Sequence, residues 1–134
     1  MTPNAPTISL KLDAPTGVYQ PGQRLAGHFV AETAAAWPVA SAELSLLWYT
    51  AGQGEEDFAV HYFERYVDEP GRPLDLRLPH RFATALPPSP LSYEGQIVKV
   101  CWCVRLRVFP QQGPEVVREV SLRLGDVPAA VVEG

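Results

Sequence analysis

The chain has 134 residues, 46% of them hydrophobic and 19% charged, the balance of one globular domain able to bury a packed core. Its net charge of -4 lacks the cationic footprint that nucleic acid or an anionic membrane surface selects, so neither is expected as a partner. No apolar run reaches the roughly 18–20 residues of a membrane-spanning helix, and residues 1–6 carry neither the basic nor the apolar part of a secretory leader, so the expectation is a soluble, cytoplasmic protein.

In chain order, residues 1–7 form a Pro-containing lead-in. Ile8, Leu10 and Leu12 then alternate with polar residues in a first strand. Pro15, Gly17, Pro21 and Gly22 mark a turn region, and Leu25 to Ala31 follow as a strand. Residues 33–38 are Ala-rich but too short to hold a helix against Pro38 and read as a loop. Ala40 to Thr50 form the next strand, with Ala42, Leu44, Leu46 and Trp48 facing inward. A Gly-containing hairpin at residues 51–56 returns the chain through Asp57 to Val67. Strict alternation there puts Phe58, Val60 and Tyr62 on one face, and Ala59, His61 and Phe63 on the other. Leu74, Leu76 and Leu78 suggest a short strand before Pro79, and Phe82, Thr84 and Leu86 another.

The strongest signal follows a proline turn at residues 87–90. Tyr93-Glu94-Gly95 opens a long strand in which Val98, Val100, Trp102, Val104, Leu106 and Val108 share one face. Lys99, Cys101, Cys103, Arg105 and Arg107 share the other. Val116, Val120, Leu122 and Leu124 make the last strand, and residues 125–134 a tail. Some seven or eight strands and no helix predict an all-β, antiparallel sandwich or barrel, and one apolar and one polar face on each strand favour the immunoglobulin-like sandwich. It forms a single domain over residues 1–134 with its core at 8–124. Trp48 and Trp102 belong to that core, and the Pro87–Gly95 turn is read as a rigid element setting Tyr93 against the sandwich end.

The segment Val18-Tyr19-Gln20-Pro21-Gly22-Gln23, the Pro-rich turn running into Ser92-Tyr93-Glu94-Gly95, and the long strand after it resemble, in that order, elements of the arrestin family's N-terminal domain. The hairpin from Trp48 to Phe58 resembles one from bacterial arrestin-like sequences. The resemblance covers roughly residues 8–124 and implies an arrestin-type β-sandwich that acts as an adaptor or cargo binder. Familiar arrestins pair two such domains, whereas this chain has the length of one, the likeness of an N-terminal half standing alone. A lysine-rich first strand and a Pro-Pro-x-Tyr tail are both missing, so receptor desensitisation is not carried over.

Residues able to carry chemistry are dispersed. Cys101 and Cys103 lie two apart on one strand, where a disulfide is strained, and His28, His61 and His80 sit on separate elements. No zinc set, and no cofactor, is read from them. Ser89 and Ser92 lack a nucleophile elbow and read as turn hydrogen-bonders. Glu55, Glu56 and Asp57 read as a solvated hairpin tip, and Gly52 with Gly54 is not followed by the helix a phosphate loop needs. The expectation is therefore a non-enzymatic domain that binds an unknown protein partner or a second copy of itself. Its candidate surface is Leu47, Tyr49, His61 and Phe63 on the hairpin face opposite the core, with Trp37 in the preceding loop. The alternative is a glycan or small-molecule site built from the same aromatics.

Overall fold

The computed structural model describes residues 7–32, 37–54 and 56–125, and all of its regular structure is strand. The elements are β1 (Thr7–Leu12), β2 (Val18–Tyr19), β3 (Arg24–Glu32), β4 (Val39–Gly52), β5 (Phe58–Val67), β6 (His80–Ala85), β7 (Tyr93–Glu94), β8 (Val98–Pro110) and β9 (Val116–Leu124). Three of them form one sheet in the order β1-β3-β6, and the order β2-β9-β8-β4-β5 runs across the second, with β7 pairing the end of β8. All the pairings are antiparallel except the short parallel contact of β2 with β9.

The expected sandwich follows from the alternation. Phe29, Leu44, Leu46, Trp102, Val104, Leu106, Val108 and Leu124 are essentially inaccessible and fill the space between the sheets, with Trp48 packed against them. Trp102 stands opposite Trp48 in the β4–β8 ladder, and its indole Nε1 donates to the Pro90 carbonyl at 2.7 Å. Burying a tryptophan is less costly when that N–H is satisfied. The Tyr19–Gln23 element is a tight turn with Pro21 and then Gly22 at φ 81°, closed by the Gln23 N–H on the Gln20 carbonyl at 3.0 Å.

Three local expectations are corrected. Leu74–Leu78 is not a strand. Asp75 accepts the Arg77 backbone N–H at 3.0 Å and holds the Arg77 guanidinium, a local turn that competes with extended pairing, and only Leu76 is buried. Tyr93–Gly95 does not run straight into the long strand. The chain reverses there, with the Gly95 N–H on the Val98 carbonyl at 3.0 Å, so that β7 pairs back on β8. Tyr93 is not set against the sandwich end but is 46% exposed. Ser92 is buried in its place, exchanging hydrogen bonds with Leu124 through its backbone N–H and its Oγ at 2.9 and 2.8 Å.

Gly95 does not need a left-handed conformation; what it needs is room. A Cβ there meets the Tyr93 ring at 2.5 Å and the Val98 carbonyl at 2.7 Å. Gly95→Val is expected to lower stability by about 1–3 kcal/mol, read as a lower urea midpoint. An unchanged midpoint would show that the hairpin opens without cost.

Candidate functional site

The outer face of the larger sheet divides into a charged half and an apolar half. In the charged half, Arg105 meets Glu119 at 2.6 Å and Arg107 meets Glu115 at 2.8 Å, while Glu43 lies 3.9 Å from both Arg65 and Arg107. Towards the β4–β5 hairpin end the cross-strand rows become Phe63–Ser45, Val60–Leu47–Cys103 and Phe58–Tyr49–Cys101. Phe58 is 59% and Phe63 52% exposed, and Val60 is exposed beside them. The hairpin itself is fastened where Thr50 Oγ1 accepts the Asp57 N–H at 2.7 Å.

A β-bulge decides which side chains reach this face. The β4–β5 register shifts so that Leu46 faces Tyr62 but Leu47 faces Val60, leaving His61 as the extra residue. One inserted residue reverses the alternation beyond it. Phe58 and Val60, expected on the inner side with Tyr62, therefore come to the outer face. His61, expected outside, turns the other way: its Nε2 lies 3.1 Å from the Ala85 carbonyl of β6 and its ring stands edge-on to Trp102 at 6.3 Å.

Two further members of the candidate surface are corrected. Leu47 is on the outer face but only 1% exposed, because it lies between Val60 and Cys103 in its row with the larger Tyr49 and Phe63 in the rows beside it. Trp37 packs against the hydrophobic core instead of standing free in the loop. Tyr49, partly exposed, and Phe63 remain, joined by Phe58 and Val60. The extra signal in the sequence was that both faces of residues 58–63 are apolar or aromatic, more than a single buried face requires. Tyr49, His61, Phe63 and Trp37 are not brought together as the glycan alternative needs. Phe58, Val60 and Phe63 line none of the clefts at Tyr66, Tyr49 or Tyr19.

Among the described residues, no three His, Cys, Asp or Glu side chains gather as a metal site. Both cysteines are free thiols, Cys101 partly exposed and Cys103 buried. Burial pushes the Cys103 thiol up to about 11. In the native protein, iodoacetamide is expected to label Cys101 and to reach Cys103 only after denaturation, since the thiolate is the nucleophile. Equal labelling of both would contradict the buried placement.

Burial also raises Tyr19, Tyr49 and Tyr66, and raises Tyr62 to about 12, where its hydroxyl donates to Glu64 Oε2 at 2.5 Å. These groups lose protons in the unfolded chain first. The stability they contribute is complete below the ordinary thiol and phenol range and is lost as pH climbs through 9 towards the raised values. A urea midpoint lower at about pH 10 than at about pH 7 is the expected result, and a flat profile would contradict it.

Glu55 of the acidic tip, residues 33–36 of the Ala-rich loop, and most of the lead-in and tail (1–6 and 126–134) lie outside the described residues. Among the described residues, no helix is long and apolar enough to cross a membrane.

The two-sheet architecture is that of an arrestin-like β-sandwich. The solved structure of Spo0M, a sporulation control protein from Bacillus subtilis, is similar to it with a TM-score of 0.63 at 16% sequence identity over 90% of this chain. The chain spans about half of that protein, 49% of its length. At that identity the likeness establishes the fold. The sequence matches no family model and no curated protein.

Proposed function

We propose that the chain is a non-enzymatic interaction domain that binds a protein partner, or a second copy of itself, through the outer face of the β4–β5 hairpin. The observation carrying this reading is the group of Tyr49, Phe58, Val60 and Phe63, which lie together on the outer face at the edge of the larger sheet. Exposed apolar side chains cost solubility and are concentrated where a partner covers them, and aromatics supply most of the energy in such contacts. Phe58, Val60 and Phe63 lie outside the clefts, which suits a macromolecule better than a small ligand, since the latter prefers a concave site. The charged rows beside the patch resemble the polar rim of an interface. Spo0M is named for a control role, and control through binding suits a domain of this fold. Two free thiols fit a reducing compartment, and we place the domain in the cytoplasm.

The test replaces Phe58 with Ser and Phe63 with Lys, then measures the urea midpoint, sedimentation and partner capture from native cells. Both side chains are more than half exposed, so the stability read from the midpoint is expected to change by less than about 0.5 kcal/mol while dimerisation or capture falls at least tenfold. A variant that stays as associated as the parent would show that this face is not the interface.

A further inference from the structure

Among the described residues, β5 pairs only with β4 in its sheet and β6 ends the opposite sheet, so no described strand closes that flank of the sandwich. A cleft of about 470 Å³ lies there, its charged lining being Glu64 and Arg65 of β5 with Glu69 and Arg72 of the connection, beside Tyr66 and His80. Glu64 is half-buried on the same side of β5 as Tyr62 and Tyr66, both of which pack against the core. Tyr62 donates to one of its carboxylate oxygens. The ion pairs among the described residues leave Glu64 without a cation. Its neighbour Arg65 also borders the cleft, with its Nε 3.9 Å from Glu43 rather than in an ion pair with Glu64. The buried Tyr66 hydroxyl also faces the Glu64 carboxylate without reaching hydrogen-bond geometry, and its ring stands edge-on to Phe29 and His80.

A carboxylate with unused acceptor capacity, set among aromatic rings at the outer edge of β5, is complementary to a guanidinium. Such a group donates in parallel to a carboxylate and stacks on aromatic faces. We propose that the cleft receives an arginine side chain from an extended segment of a partner protein that adds as a strand to the free edge of β5. This rests on the protein-binding reading above and adds the partner's chemistry. It also gives Glu64 a selective role: a charge turned inward on an edge strand repels indiscriminate strand addition, and only a segment carrying a cation at that position offsets it.

The probe is a blocked peptide of about seven alternating threonine and valine residues with a central arginine, compared with the same peptide carrying neutral citrulline or glutamate. The arginine peptide is expected to bind at least about tenfold more tightly than the citrulline peptide and to shift backbone NMR signals of β5 and His80. Glu64→Gln keeps an acceptor for Tyr62 and so keeps the fold, but it is expected to erase the preference. Equal affinities for arginine and citrulline, a preference that survives in Glu64→Gln, or no binding of any peptide at millimolar concentration would each overturn the proposal. Increased aggregation of Glu64→Gln with no effect on peptide choice would reduce Glu64 to an edge guard and likewise overturn it. If these results fail while Phe58→Ser and Phe63→Lys still abolish association, the protein-binding reading stands without the arginine site. If both sets fail, that reading falls too.

Discussion

Trp102→Ala is expected to destabilise the domain by about 3–5 kcal/mol, a large part of the total stability of a domain this size. Trp102 is 1% exposed and faces Trp48 across the ladder, with His61 edge-on at the open flank. Its removal leaves a void in the inter-sheet layer and strips the Pro90 carbonyl of the indole donor at 2.7 Å, loosening the proline turn as well. Trp102→Phe keeps most of the volume but loses the donor, so it is expected to cost about 1–3 kcal/mol. Urea unfolding of both variants checks the order. Equal midpoints for the parent and the alanine variant would place Trp102 outside the core.

Gly27→Val has the next largest expected effect, about 3 kcal/mol, from steric conflict in the middle strand of the smaller sheet. Gly27 pairs with Leu12 of β1 on one side and Phe82 of β6 on the other. A Cβ at this position runs into the Lys11 carbonyl oxygen and comes within 2.8 Å of the Phe82 ring and 3.2 Å of the Leu12 Cα. Two of those three atoms are backbone, so relief requires β1 to move off β3. Hydrogen exchange should then show lost protection in β1 first. Unchanged protection there would mean that the strands sit further apart than the ladder indicates.

The sandwich was legible because long strands with one buried face leave an unambiguous period. In β8, six alternate residues from Val98 to Val108 predict the inner face, and Trp102, Val104, Leu106 and Val108 are buried in it. The two-residue strands β2 and β7 carry no period, and they form because their neighbours offer unpaired backbone. The candidate surface was half legible. Tyr49 and Phe63 were placed correctly from alternation, yet a single extra residue at His61 exchanged the faces of everything from Phe58 to His61. Bulges of this kind have no composition signal when all the residues around them favour strands. Leu47 failed for another reason: alternation reports the side of the sheet, whereas exposure depends on the size of the neighbours, and Tyr49 and Phe63 are large. Leu74–Leu78 looked like a strand on its leucines, but Asp75 settled its conformation locally.

The central claim is that partners bind on the outer face of the β4–β5 hairpin. The direct measurement places a photo-crosslinking phenylalanine analogue at Phe58 or Phe63, and at Arg81 on the opposite sheet as the control, in the native cell. Discrete adducts, with a partner protein or with a second copy of the chain, are predicted from positions 58 and 63 and not from 81. Adducts from 81 alone, the same adducts from all three positions, or none from the hairpin would contradict it.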